Sequence, residues 1–347
     1  MKKKVFFIMS TDDYSGAEAV NFSIIENLKE KYDFYWVSKK GKINEFLKEK
    51  NIKWIEIKKL SVLEINRVFK TYKPDIIHAT DYKASVICSI TKGSIPLIEH
   101  LHNNAPWIKK ICINSIAFLF AGLRADKILT VSKAIENEYI FSKFLKNKIE
   151  CIDNPISRDR ILEKVHKGDL EKKYDICCVA RLTKEKEPLR FVNIIYEIKK
   201  KIPNIKVVWV GKGNLMDDVI KKVKELKLQD NIDFVGFKKN PYTYIAASKV
   251  FMLTSSSEGY GLVAFEALTL GLPCFVSNVG GLPQIVDEKC GKLCNVNNDF
   301  INETIKVLLN ENEYISRSKN AKNKAEKLEN IDEYMQKLTS IYEGVQK

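Results

Sequence analysis

The 347-residue sequence is poor in histidine, with four in all, and contains no apolar run long enough for a bilayer. Its longest apolar stretch, residues 111–123, is interrupted by Asn114 and Ser115, whereas a spanning helix needs about 20 apolar residues. The opening residues Met1-Lys2-Lys3-Lys4-Val5 run straight into a strand-like segment. They lack the apolar core and small-residue cleavage site of a secretory signal, so a cytoplasmic location is expected. Eight cysteines are scattered, and Cys88, Cys112, Cys177, Cys178 and Cys274 stand in apolar runs. That usage suits buried free thiols in a reducing compartment. Cys290 and Cys294 form the one close non-adjacent pair, and no second Cys or His pair follows. A zinc site is therefore not expected.

What is present describes a soluble globular protein: 45% hydrophobic and 29% charged residues. The length implies two domains. The net charge is +14. Residues 1–165 hold 29 Lys+Arg against 20 Asp+Glu, an excess of +9, and the remainder hold 29 against 24, an excess of +5. A basic surface suits phosphates, nucleic acid or an anionic membrane. No nucleic-acid module and no interleaved basic–aromatic stacking surface accompanies the charge, so nucleic acid is not an expected partner.

Short apolar runs alternate with amphipathic stretches. Strands are expected at residues 5–9, 33–38, 53–57, 75–79, 97–99, 127–131 and 149–152, with helical patterns between them. The rhythm pauses over 154–174, a polar stretch read as the linker. It resumes with strands at 175–180, 206–210, 232–235, 250–253 and 273–277, and a long charged helix over 313–347. Strict alternation implies α/β architecture, two doubly wound parallel sheets covered by helices and facing across a cleft. The expected domains are 1–160 and 161–330, with 331–347 as a terminal helix packing back toward the first. Ligands of such sheets bind beyond the carboxyl ends of the strands.

The strongest chemical signal is Ser255-Ser256-Ser257-Glu258-Gly259-Tyr260-Gly261-Leu262-Val263-Ala264-Phe265-Glu266. A strand ends before it and a helix opens near Gly261. Gly259 and Gly261 let backbone approach a ligand, and the free N–H groups of the new helix favour an anion. Carboxylates at Glu258 and Glu266 suit vicinal hydroxyls. Arg181, at a strand end, and Lys186 supply charge for a diphosphate without metal. Together these describe a nucleotide-sugar pocket.

Residues 175–287 resemble the donor domain of glycosyltransferase family 4, retaining enzymes of the two-domain GT-B type. The resemblance rests on Arg-Leu-x-x-x-Lys at 181–186, Gly211-Lys212-Gly213, Val235-Gly236-Phe237, the Glu-x7-Glu pair Glu258/Glu266, and Gly280-Gly281-Leu282-Pro283. It implies that Arg181 and Lys186 bind the donor diphosphate and stabilise the departing charge. Glu266 would hold the ribose and Glu258 the transferred sugar. Backbone at Tyr260, Gly261 and Leu262 would contact sugar or phosphate, with Gly211 lining the site and Phe237 and Lys238 meeting the base. Gln284 and Glu187 depart from the usual Glu and Gly. In the first half, Ser15-Gly16-Ala17-Glu18 resembles the family's Gly-Gly-Ala-Glu loop, with Gly16 near the phosphate or acceptor. His102, with His100 second, matches a histidine close to acceptor and donor phosphate; His78 ends another strand. Ser132 and Asn154 also match family positions.

The resemblance implies a retaining transferase moving a hexose or N-acetylhexosamine from a UDP-sugar, or a GDP-sugar, to a lipid-linked or polysaccharide acceptor of bacterial surface glycans. No Asp-x-Asp follows a strand, and the family relies on cationic side chains and helix dipoles, so neither metal nor cofactor is expected. An epimerase of the same fold and a silent nucleotide-sugar-binding protein are the alternatives. The stretch 105–127 offers basic and aromatic flanks for peripheral contact with an anionic membrane, chiefly at residues 107–110, with the helix itself expected mostly buried.

Overall fold

A computed structural model describes residues 2–102, 105–165 and 173–346. The chain divides into two compact units, residues 1–155 with 330–347, and residues 156–329. The first unit loses its main chain at Pro155, five residues before the expected boundary at 160.

The first unit is built on seven parallel strands: β1 (Lys3–Ile8), β2 (Tyr32–Ser38), β3 (Lys53–Glu56), β4 (Ile76–Ala79), β5 (Leu97–Leu101), β6 (Lys127–Thr130) and β7 (Ile149–Cys151). Their order is β3-β2-β1-β4-β5-β6-β7. Between them run α1 (Gly16–Leu28), α2 (Ile43–Glu49), α3 (Val62–Tyr72), α4 (Tyr82–Thr91), α5 (Ile113–Arg124), α6 (Lys133–Glu138) and α7 (Ser142–Leu145). Helices on both faces leave the central strands no solvent side, which is why residues 5–8 of β1 form a continuous apolar run and all four residues of β4 are buried. Val5, Phe6, Phe7 and Ile8 are all fully buried. Local chemistry marks the crossings. The Ser61 hydroxyl accepts from the Glu64 N–H to start α3, and Asp81 accepts from Lys83 and Ala84 to start α4.

The second unit has six parallel strands: β8 (Tyr174–Val179), β9 (Val207–Val210), β10 (Ile232–Gly236), β11 (Ser248–Leu253), β12 (Cys274–Ser277) and β13 (Gly291–Cys294), ordered β10-β9-β8-β11-β12-β13. Its helices are α8 (Asp159–Leu162), α9 (Pro188–Lys199), α10 (Met216–Glu225), α11 (Tyr242–Ala246), α12 (Leu262–Thr269), α13 (Leu282–Ile285), α14 (Asn297–Leu309) and α15 (Glu311–Leu328). The sixth strand, β13, was not expected, because Gly-Lys-Leu-Cys offers little apolar pattern. A Cβ on Gly291 would lie 1.9 Å from the Cys274 carbonyl oxygen, so the strand approaches β12 with no room for a side chain. Cys290 and Cys294 flank this edge as buried free thiols. Among the described residues no group of His, Cys, Asp and Glu could hold a metal ion.

Two expectations are corrected. The helix read over 313–347 is two helices, α15 and α16 (Ile331–Gly344), separated at Glu329 and Asn330, whose backbones are non-helical. The break returns the chain to the first unit, where Tyr334, Leu338 and Tyr342 of α16 are buried. There Lys337 donates to the Cys151 carbonyl at 3.0 Å and pairs with Glu150 at 3.2 Å. The second correction concerns α5. Its outer face is apolar and open: Ile113, Ile116, Phe120 and Leu123 are all exposed, beside Ile111 and, on α7, Phe144. Phe118, Ala121 and Gly122 point inward instead. Trp107, expected outward, packs among the rings of Tyr82, Phe118 and Tyr139. The helix is amphipathic in reverse on its solvent side, a pattern its all-round hydrophobicity concealed. No described helix is long and apolar enough to cross a membrane.

Candidate active site

The residues singled out in the second half all follow carboxyl ends of neighbouring strands. Arg181 and Lys186 follow β8, Gly211 follows β9, Phe237 and Lys238 follow β10, and residues 258–262 follow β11. Since these strands are parallel and adjacent, one edge of one sheet gathers the set. Gly16 and His102 belong to the first unit, as do His78 and His100.

Backbone fit determines the shape of this edge. Gly211 has φ +146°, and a Cβ there would fall 2.0 Å from the Ala180 carbonyl oxygen, so the β9 turn lies flat on the β8 loop. The β11 loop is stitched to the β8 loop as well. The Ser256 N–H donates to the Glu185 carbonyl at 2.9 Å, and the Thr254 hydroxyl donates to the Lys186 carbonyl at 3.3 Å. From the other side the Gly281 N–H donates to the Gly259 carbonyl at 2.8 Å. Glu187 stands where the family usually has glycine and holds φ +47°, a left-handed conformation that glycine adopts without cost. Its carboxylate pairs with Arg190 at 3.1 Å, and Arg190 also reaches Asn297 and the Thr254 carbonyl.

On this frame Lys186 Nζ meets Glu258 Oε1 at 2.6 Å, and the Ser255 hydroxyl donates to the same oxygen at 2.7 Å. Both charged side chains are largely buried, 17% and 9% exposed, so the pair is weakly screened. Both of these bonds go to Oε1, and Glu258 Oε2 takes none among the described residues. Arg181, more open, pairs with Glu185 at 3.2 Å. Gly261, at φ +96°, opens α12 with no side-chain cap, so the first N–H groups of that helix are unsatisfied donors at its positive end. Gly259 and Leu262 are half-buried and Tyr260 is buried on either side of that opening. Phe237 is exposed, and Lys238 extends over the ring of Tyr244 at 5.7 Å.

Glu266, on α12, accepts from the Tyr242 hydroxyl at 3.3 Å. Burial drives its carboxyl up to about 7, against the opposing pull of that hydrogen bond and of the Lys164 charge. Tyr242 and Lys164, whose ammonium lies 5.6 Å over the Tyr242 ring, are residues that sequence reasoning missed. Nothing in their local sequence marks them, because only the fold brings α11 and the segment after α8 to α12.

In the first unit the Gly16 end of α1 is also free of a side-chain cap. Ser15 gives its hydroxyl to Glu18 instead, and the Thr11 hydroxyl donates to the other Glu18 oxygen at 2.5 Å, fixing the loop on a buried carboxylate. At the ends of β4 and β5, His78 Nε2 meets His100 Nδ1 at 3.1 Å, and the His100 and His102 rings lie 3.9 Å apart. Burial holds His78 and His102 down to about 3 and His100 well below the usual imidazole range, so all three are neutral. His102 is part-buried, yet both its nitrogens are shielded and have no hydrogen-bond partner. Ser132 Oγ and Asn154 Oδ1 are likewise buried without a partner.

Comparison with known proteins gives the family and the fold. Residues 15–160 match the family model described as Glycosyltransferase Family 4, and residues 159–327 match that of Glycosyl transferases group 1. The UDP-Gal:alpha-D-GlcNAc-diphosphoundecaprenol alpha-1,3-galactosyltransferase of Escherichia coli is 27% identical, with 98% of this chain and 97% of the relative covered. The N-acetylgalactosamine-N,N'-diacetylbacillosaminyl-diphospho-undecaprenol 4-alpha-N-acetylgalactosaminyltransferase of Campylobacter jejuni is 26% identical over 70% of this chain and 66% of its own length. Among solved structures, Anabaena HepE in complex with UDP and glucose superposes with a TM-score of 0.88 at 17% identity, covering 99% of this chain and 100% of that one. TarM of S. aureus gives 0.81 at 13% identity, covering 98% and 99%. These neighbours carry the GT-B fold, two parallel-sheet α/β domains. With two adjoining family models taking in residues 15–327, the chain belongs to the family 4 glycosyltransferases and is an enzyme of that type.

Proposed function

We propose that the protein transfers a hexose or N-acetylhexosamine from a nucleotide-sugar, a UDP-sugar in preference to a GDP-sugar, with retention of anomeric configuration. The acceptor is a lipid-linked or polysaccharide sugar of a bacterial surface glycan. The observation that carries this reading is the Lys186–Glu258 pair at 2.6 Å beside the uncapped start of α12. It sets a cation and unsatisfied N–H groups for a diphosphate next to a carboxylate oxygen left open for a sugar hydroxyl. Arg181 adds a second cation to the leaving group, and Glu266 receives the ribose. The acceptor hydroxyl attacks on the face from which the diphosphate departs, and the departing phosphate oxygen takes its proton. No protein nucleophile and no metal are required. Support for the donor and acceptor classes comes from the relatives, one named for a UDP-Gal donor and two for diphosphoundecaprenol-linked acceptors.

The test is a thermal-shift panel of UDP, GDP, ADP and dTDP without metal. A ligand that binds only the native state at 100-fold excess over its Kd adds about 2.7 kcal/mol. UDP alone should raise the melting temperature, and Arg181→Ala should then bind UDP yet lose turnover by about 100-fold or more. A flat panel at high concentration overturns the reading, as does full activity in the variant.

The same reading includes peripheral work at the inner face of an anionic membrane. The open face of α5, with Ile113, Ile116, Phe120 and Leu123, is flanked by exposed Lys110, Arg124, Lys143 and Lys146. Apolar area edged by basic charge is the composition of an interfacial helix. Sedimentation with phosphatidylglycerol vesicles should capture the protein, phosphatidylcholine vesicles should not, and Ile116→Glu with Phe120→Glu should abolish capture. Equal recovery of the double variant would refute this surface.

A further inference from the structure

Two fully buried histidines link β5 to α16. His78 Nδ1 lies 2.8 Å from the Tyr342 hydroxyl, and His78 Nε2 lies 3.1 Å from His100 Nδ1. Tyr342, His78 and His100 are all fully buried. Every link in such a chain holds one proton, and a neutral imidazole carries one proton on its two nitrogens. Only two arrangements are then available. In one, Tyr342 donates to His78 Nδ1, His78 donates from Nε2 to His100 Nδ1, and His100 carries its proton on Nε2. In the other every link is reversed, and the Tyr342 proton must find a different acceptor.

The second arrangement fails by count. The Tyr342 hydroxyl has no acceptor other than His78 among the described residues. Reversal therefore strands a buried O–H, at a cost of about 1–3 kcal/mol. The far end does not offset this. His100 Nε2 is buried without a partner in either case, as a bare donor in the first arrangement and a bare acceptor in the second. A gap of that size favours the first arrangement by about 5- to 150-fold, taking tenfold per 1.4 kcal/mol.

We propose that Tyr342 is a positioning residue that fixes His78 and His100 as neutral Nε2–H tautomers, so that the buried relay ends at β5 in an N–H donor rather than a base. The His102 ring, tilted by 38° and centred 3.9 Å from the His100 ring, shares that end of the strand. The neutral state of all three rings, enforced by burial, keeps the count of protons valid at physiological pH. The break at Glu329–Asn330 thereby acquires a role: it returns α16 to the first unit, where Tyr342 reaches the histidines.

Long-range proton–nitrogen correlation on the full-length protein labelled with 15N-histidine reads each tautomer directly, and four histidines make assignment by single His→Gln variants practical. In the wild type His78 and His100 should both carry the proton on Nε2. In Tyr342→Phe the donor is gone, and both rings should shift together toward the Nδ1–H form or a mixture. A wild-type His78 protonated on Nδ1 overturns the proposal, and needs no variant to fold. Unchanged tautomers in a folded Tyr342→Phe protein overturn the part assigned to Tyr342. Absence of transfer with every donor, alongside the expected tautomers, would instead count against the proposed activity alone.

Discussion

At the residue scale, Glu266 combines a legible position with an illegible environment. Its spacing from Glu258 is printed in the sequence, but its ionisation depends on burial and on Tyr242 and Lys164, which arrive from other parts of the second unit. With its carboxyl raised to about 7, Glu266 is part protonated at neutral pH. Ribose hydroxyls donate well to the carboxylate and poorly to the acid. Nucleotide affinity should therefore strengthen as pH rises from 6 to 8, by up to about tenfold per unit below the midpoint. Titration calorimetry of wild type against Glu266→Gln across that range checks it. The phosphate's own titration is common to both proteins and cancels in the ratio of affinities, so a flat ratio would remove Glu266 from ribose binding. Glu187 teaches the complementary lesson. Its departure from glycine is plain in the sequence, but the left-handed backbone it still holds and its carboxylate's pairing with Arg190 are announced by no local pattern.

At the scale of elements, strands were readable wherever both faces are buried, because a run such as Val5–Phe6–Phe7–Ile8 suits a strand covered by helices on both sides. Two features escaped for physical reasons. The β13 edge is specified by close backbone approach at Gly291 rather than by apolar residues, and the α15–α16 break by two residues at Glu329 and Asn330 in a continuous charged pattern. The Gly280-Gly281 pair was legible as a motif, but its purpose was not. Gly280, at φ +58°, leaves no room for a Cβ, which would fall 2.0 Å from the backbone oxygen of Glu258. The turn after β12 thus acts as the rear wall of the donor loop. Gly93 has the same φ of +58° and open space around it, which makes it the matched control. Gly93→Ala should cost only the backbone preference, about 1 kcal/mol. Gly280→Ala should cost more, by about 1–3 kcal/mol, and should weaken nucleotide binding, because relief requires the Glu258 loop to move. Urea unfolding and calorimetry of the two variants decide it; equal losses with intact binding would mean that the turn does not shape the site.

At the scale of the whole molecule the two units should answer acid with opposite signs. In the first, burial holds His78, His100 and His102 well below the usual imidazole range, so as pH falls from about 6.5 to 4.5 the unfolded chain comes to bind up to three protons there that the folded one does not. Glu99 opposes them. Fully buried, with its carboxyl pushed well above the usual range, it holds a proton that the unfolded chain releases. The net is at most two protons more on the unfolded state, so stability falls on acidification by up to about 2.7 kcal/mol per pH unit. The second unit carries Glu266, raised to about 7, which is protonated when folded and ionised when unfolded over the same window. Its stability contribution is present below about pH 4.5 and is lost as pH rises toward 7, so acid favours that unit by up to about 1.4 kcal/mol per pH unit. Hydrogen exchange resolved by peptide, compared at pH 6.5 and 5.5 after correction for intrinsic rates, separates the two. Protection of β1, β4 and β5 should drop while that of β8, β9 and β11 holds or rises. A parallel loss in both sheets would mean that the histidines are not held neutral by burial, and would remove the basis for treating their end of β5 as a fixed donor.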